Sequence, residues 1–150
     1  MLFIFMGSSC TGKSTAANKI KERLDVEVFT GKDYLRMAKN KYEAWKLFYD
    51  KLLKASLKQD PVKGTIIYLI TEKEELIKVK DIKNSYKIKF TAPLDIIKER
   101  FSQRMNGILP KPVEDMLERK NKEWEAIDGD MTVDSSQEEE IEKLMQLFTG

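Results

Sequence analysis

The sequence predicts an α/β domain in three layers, a parallel five-stranded sheet with helices on both faces, covering residues 1–150 as one unit. Three observations predict it. Strand-like and helix-like stretches alternate along the chain, the pattern of a parallel sheet covered on both sides. The apolar run Leu2–Met6 ends at a glycine-rich loop, and an amphipathic stretch follows directly, which makes a strand–loop–helix unit. A length of 150 residues with 41% apolar content suits one core.

The elements follow in order. Leu2–Met6 is short and apolar, as a buried strand should be. From Lys13 to Leu24, residues Ala16, Ala17, Ile20 and Leu24 recur at helical spacing. Val26–Thr30 is a β-branched strand punctuated by Gly31. From Asp33 to Leu57, residues Leu35, Ala38, Tyr42, Trp45, Phe48, Leu52 and Ala55 step by threes and fours, which predicts one helix or two in series. Tyr34, Tyr42, Trp45 and Phe48 read as core, with some of them available to line a pocket.

Gln59–Gly64 reads as a loop before the strand Thr65–Ile70. Thr71 is placed to cap a helix over Glu72–Val79, with Glu74 completing a capping box. Tyr86–Thr91 is the next strand, and Pro93 suits the first turn of a helix running to Met105. After the loop Asn106–Pro112, a helix covers Val113–Ile127 and Asp130–Val133 is a last strand. Ser135 or Ser136 caps a final helix to Phe148, whose acidic first turn of Glu138, Glu139 and Glu140 complements the dipole.

Composition narrows the function classes. With 27 basic and 25 acidic residues the net charge is +2, too balanced for a nucleic-acid or anionic-lipid field. Lys78, Lys80 and Lys83 read as a solvated face. No apolar run approaches the roughly 20 residues of a membrane-spanning helix. The start lacks a signal-peptide pattern, and the single cysteine rules out an internal disulfide, so a cytoplasmic location is expected. Histidine is absent, which excludes histidine acid–base chemistry and histidine-ligated metals.

The chemistry gathers in Gly7-Ser8-Ser9-Cys10-Thr11-Gly12-Lys13-Ser14, which matches G-x-x-x-x-G-K-[ST] at every fixed position. The glycines permit torsions that turn successive N–H groups inward around phosphate oxygens. The helix opening at Lys13 adds the positive end of its dipole. Lys13 is placed for the β- and γ-phosphates, Ser14 for Mg²⁺, and Thr15 continues the set into the helix. The expected ligands are therefore ATP and Mg²⁺. Cys10 occupies a variable loop position and reads as packing.

Further motifs carry a resemblance. The chain resembles the P-loop kinases of nucleotides and small metabolites, which include adenylate, guanylate, shikimate and gluconate kinases. The likeness runs over nearly the whole length and implies a sheet order of 2-3-1-4-5. Thr30-Gly31-Lys32-Asp33-Tyr34-Leu35-Arg36 is similar to the T-G-D-x-L-R acceptor segment, with Lys32 as an extra residue. That match would turn Thr30, Asp33 and Arg36 to the acceptor. In shikimate-type kinases an aspartate here takes a hydroxyl proton, a role open to Asp33, whose plainer reading is a helix N-cap. Glu99-Arg100-Phe101-Ser102-Gln103-Arg104 is similar to the arginine motif at the family's lid, with Arg100 toward the base and Arg104 toward the transferring phosphate. Arg119, on the helix after a short lid of about 104–113, is a further acceptor candidate. Without the resemblance these three arginines read as an exposed face or as partners of Glu99 and Glu118. Val133-Asp134-Ser135-Ser136 is similar to the turn that frames adenine, which implicates Asp134 and Ser135.

The resemblance implies ATP-dependent phosphoryl transfer, with Lys13, Asp33 and Arg104 catalytic and a nucleoside monophosphate or similar small molecule as acceptor. The adenylate kinase D-G-F-P-R motif is missing after the third strand, where Thr65–Thr71 stands. That strand also carries no aspartate, and Glu72 is the nearest acidic substitute unless it is a helix-start residue. A hydroxyl-directed metabolite kinase and a nucleotide-binding module without catalysis therefore stay open, as does a kinase that modifies an antibiotic.

Overall fold

The structure, a computed structural model, describes residues 1–59 and 63–149. Residues 60–62 of the expected Gln59–Gly64 loop lie outside the described residues. The strands are β1 (Leu2–Met6), β2 (Val26–Thr30), β3 (Thr65–Ile70), β4 (Ser85–Thr91) and β5 (Met131–Asp134). All neighbours pair in parallel in the order β2-β3-β1-β4-β5. The helices are α1 (Lys13–Arg23), α2 (Lys41–Ser56), α3 (Lys73–Val79), α4 (Leu94–Arg104), α5 (Lys111–Glu125) and α6 (Glu138–Thr149).

The two-residue period of a strand divides β1 between two cores. Leu2, Ile4 and Met6 join Ile66, Tyr68 and Ile70 of β3 under α2. Phe3 and Phe5 join Ile67, Leu69, Ile88 and Phe90 under α1 and α6. All five residues of β1 are buried, as a strand paired on both edges and covered on both faces requires. Each such large apolar side chain stabilises by roughly 1.5–3 kcal/mol relative to exposure. A third cluster of Cys10, Ala92, Ile97 and Leu117 seats the glycine-rich loop against α4 and α5. The carboxyl ends of β1 and β3 point at that loop, where crevices form in open α/β sheets.

Several boundaries differ from expectation, each for a visible reason. The long stretch after Asp33 divides into a 3-10 turn, Asp33–Arg36, and α2. Asn40 caps α2, its Oδ1 accepting from the N–H groups of Tyr42 (2.8 Å) and Glu43 (3.2 Å). Asp33 is therefore not the N-cap of this helix. Tyr42 is not core, because the buried stripe of α2 runs through Ala44, Phe48, Leu52 and Ala55 and leaves Tyr42 84% exposed.

Helix α3 starts one residue later than read. Glu72 is its N-cap and Glu75, in place of Glu74, closes the capping box, while the carbonyl of Thr71 accepts from Trp124 Nε1 (2.9 Å). Helix α5 begins at Lys111, with Pro112 in the first turn where a missing N–H costs nothing. The connection after α4 thereby shrinks to residues 105–110, turned by Asn106 and Gly107 at positive φ. Neither Ser135 nor Ser136 caps α6. Ser136 N–H and Oγ both donate to Asp134 Oδ1, and Ser135 N–H donates to the carbonyl of Thr91.

Candidate active site

The loop between β1 and α1 is held at close range. A Cβ at Gly7 would overlap the carbonyl of Phe90, so only glycine lets the loop pass over β4. The N–H of Gly7 donates to the carbonyl of Ile70 at 3.1 Å and ties the loop to β3. Gly12, at φ 89, opens α1 in a left-handed conformation that glycine adopts freely. Cys10 takes φ 64 without that freedom. Its carbonyl accepts from Arg100 Nη1 (2.9 Å), which also donates to Ser135 Oγ (2.9 Å). Arg100 thus joins the loop to the turn after β5.

Lys13 is 6% exposed and bends back through the loop. Its ammonium donates to the carbonyls of Gly7 and Ser8, both at 2.7 Å. Burial pulls its pKa from 10.5 down to about 8, only partly offset by Cys10 and Glu75, while Arg104 lowers it further. The side chains of Ser14 and Thr15 are exposed on the first turn of α1, where the helix dipole is positive.

Two cavities flank the loop. One of about 210 Å³ is bounded by Thr15, Lys19, Arg100, Arg104, Ser135 and Ile141. The other, of about 160 Å³, has the loop from Ser9 to Thr15 as one wall and Thr30, Gly31, Leu69, Thr71 and Glu75 as the opposite wall. Arg104 borders both cavities, reaching them from the end of α4. Lys98 pairs with Glu114 (3.0 Å) and Glu118 (2.6 Å), linking α4 to α5.

The structure therefore brings Lys13, Ser14, Thr15, Thr30, Arg100, Arg104 and Ser135 to the cavities. Asp33 does not line either one; its Oδ2 accepts from the N–H of Thr30 (2.8 Å) and closes the turn after β2. Arg36 and Arg119 are exposed and border neither cavity, and Asp134 is engaged by Ser136. Glu72, the acidic residue nearest the third strand in sequence, caps α3 and pairs with Lys120.

Glu75 is the residue that sequence reasoning missed. One carboxylate oxygen, Oε1, accepts from the N–H of Glu72 at 3.3 Å. The other, Oε2, lies so near Gly31 that an added Cβ there would overlap it. Tyr68 donates its hydroxyl to the carbonyl of Gly31 at 2.8 Å, so the same glycine lies close to both side chains. Burial raises the Glu75 carboxyl above the ordinary carboxylate value, and Lys32 and Lys78 pull against that rise. The Tyr68 phenol is also pushed up, by burial first and the Glu75 charge second. The capping box was the available signal, but it points to Glu75 only once the cap is moved to Glu72.

No protein-family model matches the chain, and no curated protein matches it in sequence. Solved structures match it in fold. A shikimate kinase from Acinetobacter baumannii in complex with shikimate has a TM-score of 0.62 at 15% identity, covering 99% of this chain and 92% of that one. The YorR protein of Bacillus subtilis, in complex with phosphorylated GDP, has a TM-score of 0.63 at 19% identity, covering 99% and 96%. A gluconokinase from Sinorhizobium meliloti has a TM-score of 0.58 at 12% identity, covering 98% and 94%. The five-stranded order found here is the one the resemblance to P-loop kinases implied.

Proposed function

We propose that the chain transfers the γ-phosphoryl group of ATP to a small-molecule acceptor. One observation carries the proposal: two cavities meet at a glycine-rich loop built for phosphates, and a single arginine, Arg104, borders both. A donor site and an acceptor site need this adjacency, because in-line transfer depends on positioning and charge more than on covalent chemistry. The cavity at Arg100, Lys19 and Ser135 takes the nucleotide, and the cavity at Thr30, Gly31 and Glu75 takes the acceptor.

Lys13 and Arg104 supply positive charge where the transferring oxygens gather it. Arg100 holds the loop in shape through the carbonyl of Cys10 and fixes Ser135 at the cavity rim. Asp33 orients Thr30 through its backbone N–H. Mg²⁺ needs an oxygen donor beside the phosphates, and this site offers one on the first turn of α1. In a phosphate loop of this pattern the Ser/Thr hydroxyl that follows the lysine is an Mg²⁺ ligand, together with phosphate oxygens and water. The exposed hydroxyl of Ser14 provides such an oxygen. When bound, the ion would neutralise phosphate charge.

The molecules bound in two of the fold neighbours, shikimate in one and phosphorylated GDP in the other, support a small acceptor of either chemistry. No helix of the described residues is long and apolar enough to cross a membrane. The test is transfer of labelled γ-phosphate from MgATP to a mixture of nucleoside monophosphates, polyols and hydroxy acids. Lys13→Ala is expected to lose on the order of 10²-fold or more in turnover. Equal turnover in that variant and the wild type would reject the assignment.

A further inference from the structure

We propose that Glu75 is the proton acceptor of this centre and that the acceptor substrate offers a hydroxyl group to the phosphoryl donor, not a phosphate. The proposal rests on the phosphotransfer reading above and deepens it. Its starting point is the wall opposite the loop, made of Thr30, Gly31, Leu69, Thr71 and Glu75. That wall carries one ionisable group, a carboxylate. The basic residues of the same cavity are Lys13, which belongs to the loop, and Arg104, which also borders the nucleotide cavity.

A phosphate acceptor would bring about two negative charges against that carboxylate. No guanidinium stands on the acceptor wall to offset them, because Arg36 lies outside the cavity. Lys78, the nearest cation on the same helix, is spread over the rings of Tyr34 and Trp45 at 5.7 and 5.1 Å. A hydroxyl acceptor meets the opposite situation. Its reacting group is neutral on arrival and must lose a proton as it bonds to phosphorus, and the wall presents one carboxylate able to receive it.

The receiving oxygen is Oε2. Oε1 is occupied by the N–H of Glu72, which fixes the plane of the carboxylate. Oε2 lies against Gly31, which lines the same cavity, and a methyl group on Gly31 would displace it. Glu75 and Lys13 line the same cavity, so the carboxylate and the loop's ammonium border one space. In the reaction the acceptor oxygen forms a new bond to the γ-phosphorus of ATP. The bond from that phosphorus to the bridging oxygen breaks, leaving its electron pair on ADP. The hydroxyl proton passes to Glu75 and then to water. No oxidant or further reactant is needed.

The charged and titratable groups around Glu75 are Glu72 at the cap of α3, Lys78 on α3, Lys32 before the 3-10 turn, Tyr68 on β3, and Lys13 and Arg104 in the same cavity. The experiment uses the full chain with MgATP. Hydroxyl probes are water, glycerol, shikimate and gluconate; phosphate probes are AMP, GMP, CMP and UMP. Wild type, Glu75→Gln, Gly31→Ala and Lys13→Ala are compared across pH, with ATP affinity measured separately.

The expected result is turnover with a hydroxyl probe, at the least hydrolysis of ATP by water. Glu75→Gln then loses about 10²-fold in rate while ATP affinity holds within about twofold. The wild-type rate falls on acidification through a titration above the ordinary carboxylate range, and Glu75→Gln lacks that limb. Gly31→Ala loses rate in the same direction. Equal rates in wild type and Glu75→Gln, or faster transfer to a nucleoside monophosphate than to every hydroxyl probe, overturns this proposal and leaves phosphotransfer standing. Turnover no greater than that of Lys13→Ala with every probe overturns both.

Discussion

Lys13 holds a charge where burial disfavours it, and its pKa near 8 has two opposite consequences. The unfolded lysine titrates at 10.5, so between about 8 and 10.5 the folded chain binds fewer protons than the unfolded one. Stability of the free protein from this group therefore rises with pH across that window. Affinity for an anionic nucleotide moves the other way, because above about 8 the lysine must take up a proton to bind. Nucleotide affinity is expected to fall roughly tenfold between pH 7 and pH 9 while folding stability does not fall. Calorimetric titration in two buffers of different ionisation enthalpy checks it through proton uptake, and a flat profile would remove Lys13 from the phosphate site. Gly7, Gly12, Lys13 and Ser14 were legible because the pattern G-x-x-x-x-G-K-[ST] fixes the residue type at those four positions. Glu75 was not, because its direction depends on contacts across the fold.

At the scale of elements, the same contrast explains which boundaries could be read. β1, β2 and β3 match their expected limits, since apolar runs between glycines and charged residues leave little choice. Helix α3 shifts by one residue because Trp124, 53 positions away, takes the carbonyl of Thr71. No local pattern reports that bond. The break between the 3-10 turn and α2 is hidden for another reason: Leu35 and Ala38 continue the helical spacing across it. The break places Asn40 where two N–H groups of α2 need an acceptor. Asn40→Ala is expected to cost about 1 kcal/mol of folding stability, with the urea slope unchanged. Urea unfolding followed by circular dichroism measures it. No loss would mean that water serves the helix end as well as the side chain does.

At the scale of the molecule, the fold places both cavities at the carboxyl end of one sheet while its two cores lie behind them. The alternation of strands and helices made that architecture legible; the division of the crevice into two cavities was not, because it depends on where Arg104 and Glu75 reach. Such a layout couples binding to folding, since a ligand seated on the loop engages the ends of β1, α1 and α4 together. Free MgADP at about 100 times its dissociation constant should add about 2.7 kcal/mol. In a chain of this size that corresponds to a rise of roughly 5–10 °C in the melting midpoint. Under the proposed function, an acceptor seated against Thr30 and Glu75 would have only part of its site without the nucleotide, because Arg104 and residues of the loop line both cavities. Its own shift should therefore be small alone and larger with MgADP present, and Lys13→Ala should lose the nucleotide shift and the excess together. Thermal unfolding with each ligand singly and in pairs checks this. Shifts that merely add would mean that the two cavities work independently, and Arg104 would then have no part in joining them.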